Sequence, residues 1–145
     1  MQPTAGAVEV PVTLILASSP FQEIGVSIVL IIDDSATEVH QLKSILEGAG
    51  HSTLAARSGE EGVEVAKKSL PDVILMDIVM PGLNGFQAPR QLHKNDTTRD
   101  IPVIVVSTKA EETDRIWALR QGACEYLVKP VKGDVLLAAV KAAVA

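Results

Sequence analysis

Residues 28–35 read IVLIIDDS, and the run Val26–Ile32 that leads into the two aspartates is almost entirely apolar. A short apolar run without polar alternation is typical of a strand that is buried on both faces of a parallel sheet. Ser35, which follows Asp33 and Asp34, can cap a helix. The stretch therefore predicts the first strand and the first helix of an α/β fold.

The alternation of apolar strand and amphipathic helix continues through four more units. The further predicted strands are His51–Ala56, Val73–Met76, Ile101–Val106 and Glu125–Val128. The predicted helices run from Ser35 to Gly48 or Gly50, from Ser58 to Lys68, and over Phe86–Lys94, Glu111–Arg120 and Asp134–Val144. Five such units in series predict a (βα)5, doubly wound, five-stranded parallel sheet of flavodoxin-like architecture, for which the strand order 2-1-3-4-5 is favoured.

Local patterns refine this prediction. Ser58 and Glu61 have the spacing of a capping box, and Pro89 either bends the first turn of the third helix or removes one of its hydrogen bonds. Pro81-Gly82 and Asn84-Gly85 are turn signals. The predicted inner stripe of the last helix is Val135, Leu136, Ala139 and Val140. Three histidines without metal-ligand spacing are expected at the surface: His40, His51 and His93.

Length and composition limit the classes of protein that the chain can represent. The 145 residues suit one domain, and the net charge of −5 argues against a nucleic-acid partner, which requires a basic patch. With two Phe, one Tyr and one Trp, the chain offers few platforms for base stacking. The single cysteine, Cys124, cannot form an internal disulfide, which fits a cytoplasmic protein.

The first 25 residues differ from the rest of the chain. Their charged residues are Glu9 and Glu23, and the apolar stretch Val12–Ala17 is far shorter than the roughly 20 residues of a membrane helix. We predict a poorly ordered extension over residues 1–25, no membrane insertion, and a domain over residues 26–145. The alternative is that the extension adds a strand or a docking segment, because Val-Thr-Leu-Ile-Leu has β-propensity.

Polar side chains follow the apolar strands at the points where they end. Asp33 and Asp34 follow the first strand, Asp77 the third, Ser107 the fourth and Lys129 the fifth. Parallel strands bring their carboxyl ends to one edge of the sheet, where ligands of open α/β sheets bind. Three adjacent carboxylates repel one another unless a cation lies among them, and all-oxygen ligands favour Mg²⁺. With an ammonium and a hydroxyl nearby, the set suits an anionic phosphoryl group.

Other interpretations are open on the residues alone. Any one of these aspartates is an ordinary cap or turn residue when taken singly, and Asp34 in particular can cap the first helix. A small Mg²⁺-dependent phosphohydrolase with an Asp nucleophile would use a similar set, but such enzymes usually need a cap or lid. A flavodoxin-like cofactor binder would need a phosphate loop rich in Ser, Thr and Gly, where this chain has Asp-Asp-Ser.

Four strings together carry a resemblance to a known family: IVLIIDDS, PDVILMDIVMPGLNG, IPVIVVST and GACEYLVKP. With them, residues 26–145 resemble the CheY-like receiver domain of bacterial response regulators. The stretches DIVMPGLNGFQA and EETDRIWALRQGA are most similar to single-domain receivers of twitching-motility pathways. The resemblance implies a signalling phosphoacceptor of a two-component phosphorelay rather than an enzyme that acts on other substrates.

The resemblance also implies a role for each matching residue. Asp77 would accept the phosphoryl group, and Mg²⁺ would be held by Asp33, Asp34, Asp77 and the backbone carbonyl of Val79. Lys129 would bind a phosphoryl oxygen, and its bond to Pro130 would be cis. The Ser107 hydroxyl would follow the phosphoryl group, and Tyr126 would be the switch aromatic that fills the vacated space from outside. Helix 4, strand 5 and helix 5 would then form the readout surface.

The implied partners are a histidine kinase of chemotaxis type and either a downstream effector or a second response regulator whose phosphate this protein drains. Two residues depart from the usual pattern of the family. Thr108 stands where most receivers have a smaller residue, and Val79 offers no polar side chain to steer water. The lifetime of the phosphoryl group therefore stays open.

Overall fold

In the computed structural model, residues 26–79 and 87–145 are described, and in them five strands alternate with five helices. The predicted extension, the turn signals at residues 81–85 and the predicted helix start at Phe86 lie outside these ranges. In chain order the elements are β1 (Ile28–Ile32), α1 (Ala36–Gly48), β2 (Ser52–Ala56), α2 (Gly59–Ser69), β3 (Val73–Met76), α3 (Gln87–Lys94), β4 (Val103–Ser107), α4 (Glu112–Arg120), β5 (Glu125–Val128) and α5 (Gly133–Val144).

The five strands form one parallel sheet in the order β2-β1-β3-β4-β5, which confirms the predicted topology. The register between β1 and β3 pairs Ile32 with Met76. Asp33 and Asp77, the next residue of each strand, therefore leave the sheet side by side, and Asp77 N–H donates to Ile32 C=O at 2.9 Å.

One face of the sheet packs against α1 and α5, and the other packs against α2, α3 and α4. Because side chains alternate along a strand, consecutive residues of β1 and β3 contribute to opposite faces. One core cluster joins the sheet to α1 and α5: Val29, Ile31, Leu42, Leu46, Val73, Leu75, Ile104, Val106, Leu136 and Val140. The other joins it to α2 and α3: Leu30, Ile32, Ala56, Val63, Ala66, Ile74, Met76, Ala88, Leu92 and Val103.

Three strands start later than predicted, β2 by one residue, at Ser52, and β1 and β4 by two residues. β1 begins at Ile28 rather than Val26, because the N–H groups of Ser27 and Ile28 donate to the side chains of His51 and Asp72. β4 begins at Val103 rather than Ile101, whose N–H donates to Thr98 C=O in a turn. Apolar character extends through these turns, so the run of residues alone does not locate the first sheet hydrogen bond.

The helix starts follow the predicted caps. The hydroxyl of Ser35 accepts from Glu38 N–H at 3.3 Å, and the hydroxyl of Ser58 accepts from Glu61 N–H at 3.1 Å. Glu61 in turn accepts from Arg57 N–H at 2.9 Å, so the second helix has a reciprocal cap. Pro89 is buried in the first turn of α3 as the structure describes that helix.

Two expectations about surface position were wrong. Val135 is 45% exposed and is not part of the inner stripe of α5, where the buried residues are Leu136 and Val140. A step of four residues keeps Leu136 and Val140 on one helix face, and Val135 lies about 100° away from Leu136. Of the histidines, His40 is exposed as predicted, but His51 and His93 are half-buried and bond to Ser27 N–H and Gly122 C=O.

Among the residues that the structure describes, no helix is both long enough and apolar enough to cross a membrane.

Candidate functional site

Three aspartates meet at the carboxyl edge of the sheet, where β1 and β3 end. Asp33, Asp34 and Asp77 can each place one carboxylate oxygen within 4.8 Å of the others. Asp33 and Asp77 are almost completely buried, with 2% and 7% of their surface exposed. The strand register accounts for this arrangement, because it places the first residue after each strand in the same row.

Lys129 reaches these acids from the end of β5. Its Nζ lies 2.8 Å from Asp33 Oδ2 and 3.0 Å from Asp77 Oδ2. The backbone places the side chain there: Lys129 N–H donates to Ser107 C=O at 2.8 Å, and the following bond to Pro130, expected to be cis, is cis. The ammonium thus bridges two buried carboxylates from strands that are not its neighbours in the sheet.

The pKa of Lys129 reflects two opposing effects. Burial alone would lower its pKa, but hydrogen bonds from the ammonium to Asp33 and Asp77, together with their charges, outweigh burial and hold the pKa above its ordinary value. Lys129 therefore stays protonated throughout the physiological pH range, as a fixed positive charge beside the acids.

The two buried aspartates are oriented by their own loops. Asp33 Oδ1 accepts from Ser35 N–H at 2.9 Å, and Asp77 Oδ1 accepts from Val79 N–H at 2.9 Å. In each case the other oxygen, Oδ2, contacts Lys129. Each carboxylate is thus held at both oxygens, which fixes its plane.

A third acid beside Lys129, in addition to Asp33 and Asp77, was not predicted from the sequence. Glu38 Oε1 lies 3.7 Å from Lys129 Nζ, and the Glu38 side chain is 35% exposed. The available signal was its position three residues after the helix cap Ser35, at the sheet edge where the strand-end residues were expected to meet.

Ser107 and Tyr126 are joined through the backbone of Lys109. The hydroxyl of Ser107, a fully buried residue, accepts from Lys109 N–H at 3.2 Å, and the Tyr126 hydroxyl donates to Lys109 C=O at 2.9 Å. Tyr126 is already buried, at 4% exposure, whereas the resemblance implied an aromatic ring that enters from outside. The hydrogen bond to the β4–α4 connection explains the difference, because it holds the ring inward.

The residues present fit a divalent cation. Three carboxylates against one ammonium leave an excess of two negative charges in a largely buried cluster. Burial of like charges is unfavourable unless a counter-ion is bound, and Mg²⁺ prefers oxygen ligands from one or two carboxylates together with water. The partly exposed oxygens of Asp34 give such an ion access to the cluster.

Comparison with known proteins agrees with this geometry. A family model described as the response regulator receiver domain matches residues 29–141. The chain is 55% identical over 117 residues to Protein PilH of Pseudomonas aeruginosa, covering 81% of this chain and 97% of that protein. It is also 35% identical to Response regulator PleD of Caulobacter vibrioides over 78% of this chain, which spans 25% of that longer protein.

Solved structures show the same architecture. Vibrio cholerae chemotaxis protein CheY4 matches with a TM-score of 0.77 at 26% identity, over 82% of this chain and 99% of that one. The receiver domain of sensor histidine kinase PA1611 from Pseudomonas aeruginosa, solved with a magnesium ion coordinated in its active site cleft, matches with a TM-score of 0.76 at 26% identity, over 83% and 98%. Fold, acid cluster and family match together show that the chain belongs to the family of response regulator receiver domains.

Proposed function

We propose that the protein is a Mg²⁺-dependent phosphoacceptor that takes a phosphoryl group from a histidine kinase onto Asp77. The observation that carries this proposal is the place of Asp77 in the site. It follows the central strand β3, with the acids of β1 on one side, the hydroxyl of Ser107 on the other, and the Lys129 ammonium 3.0 Å from its Oδ2. Asp33 is less suitably placed, because it follows β1, and β3 lies between β1 and the strand β4 that carries the Ser107 hydroxyl.

The chemistry required of the protein is mainly positioning and charge neutralisation. Transfer breaks the P–N bond of a phosphohistidine and forms a P–O bond to Asp77, and the imidazole leaves. Asp33, Asp34, Asp77 and the Val79 carbonyl would hold Mg²⁺, which supplies neutralisation of phosphoryl charge when it is bound. Lys129 would exchange its contact with Asp77 Oδ2 for a phosphoryl oxygen, and Ser107 would donate to a second oxygen.

A change at Ser107 reaches the surface by a short route. Ser107 and Tyr126 both bond to the backbone of Lys109, so movement of the hydroxyl toward a phosphoryl group would alter the connection that the phenol holds. A phosphoryl group adds about −1.5 to −2 charge and three strong acceptors, enough to bias two arrangements of this connection.

The proposed readout surface combines α4, β5 and α5. Large apolar side chains are exposed there: Ile116, Trp117, Leu119, Val128 and Val135. The 55% identity to Protein PilH supports the roles that the resemblance implies, with a chemotaxis-type kinase as donor and a part in type IV pilus twitching motility. In this proposal the protein acts in the cytoplasm, and its output is either an effector bound at this surface or removal of phosphate from a second response regulator.

The phosphoacceptor is tested by intact mass after incubation with acetyl phosphate and Mg²⁺. We expect one added phosphoryl group in the protein and none in Asp77→Asn. Asp72→Asn is the matched control, because Asp72 lies at the opposite end of the same strand and binds the β1 backbone. Labelling of Asp77→Asn equal to that of the unaltered protein would refute the assignment.

The two outputs are distinguished by Tyr126→Ala. For an effector-binding messenger, the variant should accept phosphate at a near-normal rate but lose phosphorylation-dependent binding to its effector. For a phosphate drain, the variant should leave the motility phenotype almost intact, while Asp77→Asn abolishes the function. A phosphorylation-dependent complex that is captured with the unaltered protein and lost with Tyr126→Ala would exclude the drain.

A further inference from the structure

The Glu38 side chain does not take the direction that is usual for a glutamate at its position in the helix. A glutamate three residues after a serine cap usually turns back to a backbone N–H of the helix start, as Glu61 does in α2 by accepting from Arg57 N–H. In α1 the cap's own N–H, that of Ser35, already donates to Asp33 Oδ1 at 2.9 Å. The Ser35 N–H therefore does not need the Glu38 carboxylate as its acceptor.

That carboxylate instead faces Lys129. Its Oε1 lies 3.7 Å from Nζ, farther than the 2.8 and 3.0 Å contacts to Asp33 and Asp77, so it adds charge without a direct hydrogen bond. Both side chains line a groove of about 370 Å³ between α1 and the connection from β5 to α5. Glu38 is the most exposed of the three acids around Lys129, and it lies on the solvent side of the ammonium.

We infer that Glu38 is a specificity-determining residue of the phosphoryl-transfer reaction, a fixed negative charge that disfavours small dianionic donors relative to donors of lower charge. The inference rests on the proposed phosphoacceptor role of Asp77. A free dianion that approaches Lys129 along this groove passes Glu38, whose charge offsets part of the attraction of the ammonium. A donor with less negative charge is repelled less by Glu38. The preference between donors therefore depends on their charge and not on their shape.

The size of the effect follows from Coulomb's law. A unit charge about 6 Å from the incoming phosphoryl group, in a water-like dielectric, changes a rate about threefold for each unit of donor charge. Acetyl phosphate is a dianion at neutral pH and phosphoramidate is a monoanion, and both transfer the same group. The P–O bond of the first breaks to release acetate, the P–N bond of the second breaks to release ammonia, and each forms the same P–O bond to Asp77.

The test compares phosphorylation rates with these two donors at saturating Mg²⁺. In Glu38→Gln we expect the ratio of the acetyl phosphate rate to the phosphoramidate rate to rise about threefold over that of the unaltered protein. Glu38→Asp, which keeps the charge, should retain a ratio close to that of the unaltered protein. The rise in Glu38→Gln should shrink in about 1 M salt, where charges are screened within about 3 Å.

Glu60→Gln is the matched control, because Glu60 is an exposed acid in the first turn of α2. Glu60→Gln removes the same charge as Glu38→Gln but at a different position. We therefore expect its ratio of the two donor rates to equal that of the unaltered protein. An equal ratio in Glu38→Gln and the unaltered protein would overturn the inference, as would an equal rise in Glu60→Gln. Failure of the unaltered protein to accept phosphate from either donor would instead refute the phosphoacceptor role itself.

Discussion

At the scale of single residues, Lys129 has the largest effect on the charge balance of the buried site. Replacing it by Met leaves Asp33 and Asp77 buried without their shared ammonium, and removal of one partner of such a pair costs about 3 kcal/mol or more. We expect Lys129→Met to lower the free energy of unfolding by about this amount in urea denaturation. Mg²⁺ should restore a larger share of stability to the variant than it adds to the unaltered protein.

Lys132→Met serves as the control for that measurement, since Lys132 is an exposed lysine three residues further along. Its stability should stay within about 0.5 kcal/mol of the unaltered protein, as for other surface substitutions. If Lys129→Met without Mg²⁺ were as stable as this control, Asp33 and Asp77 would not need the ammonium for stability.

The burial of Tyr126 can be measured by titration of its phenol, because Tyr126 is the single tyrosine of the chain. Burial raises the pKa of its phenol, the nearby Ser107 hydroxyl opposes the rise, and the charges of Asp114 and Asp77 add to it. The folded state thus holds the proton more tightly than the unfolded state. The stability that this adds is fully present below the pKa of an unfolded tyrosine, about 10, and is lost as the pH rises through the pKa of the folded state.

We therefore expect the ultraviolet titration of the phenol to have its midpoint above about 10. Ser107→Ala should move the midpoint further upward, because it removes the hydroxyl that favours the ionised phenol. A midpoint at the value of an unfolded tyrosine would indicate that the ring is exposed to water in solution.

The site could be predicted from the sequence as far as it depends on strand ends. Asp33, Asp77 and Lys129 follow apolar runs, and parallel topology alone brings such positions together. The position of Glu38 after Ser35 did not reveal its role, because that role depends on the direction of one long side chain toward a lysine 91 positions later. The inward position of Tyr126 depends in the same way on one hydrogen bond to Lys109 C=O.

At the scale of the elements, α2 packs on β1 through a residue without a side chain. A Cβ at Gly62 would lie 2.7 Å from Ile32 Cγ1 and closer still to its Cδ1, in a fully buried part of the core. We expect Gly62→Ala to destabilise the protein by about 1–3 kcal/mol, the usual cost of overpacking, despite the gain in helix propensity. Because Ile32 precedes Asp33, Mg²⁺ affinity should fall as well.

The comparison for that substitution is Gly48→Ala, at the last residue of α1, where an added Cβ meets nothing within 4 Å. Urea denaturation of this variant should show unchanged or slightly increased stability. If both glycine variants had equal stability, close packing of α2 on β1 would not hold in solution.

Element type and order were predictable because caps and periodicity are local signals. Ser35 and Ser58 begin the helices as their spacing indicates. The starts of β1 and β4 were not predictable. Val26 is as apolar as β1 but precedes the sheet, and Ile101 is as apolar as β4 but belongs to a turn. The position of Val135 depended on helix phase, which a mixed run of Val, Leu and Ala does not define.

At the scale of the whole molecule, the domain should fold without the residues that precede it. The described chain starts at Val26, which is 57% exposed, and the family match starts at residue 29. We expect a protein that starts at Val26 to keep phosphotransfer and nearly all of its thermal stability. A loss above about 2 kcal/mol, well beyond ordinary surface effects, would mean that residues 1–25 contribute to the core.

The parallel sheet also determines where the chain enters and leaves the domain. β1 starts at the edge opposite the aspartates, and the end of α5 returns there, with Ala142 and Ala143 beside Cys124 and Glu125 at the start of β5. Entry and exit are thus separated from the acids by the length of a five-residue strand, roughly 17 Å. This makes the unit suitable as a cassette: inserted into a surface loop of a fluorescent protein, it would keep its acidic edge open and could report the chemistry there as light.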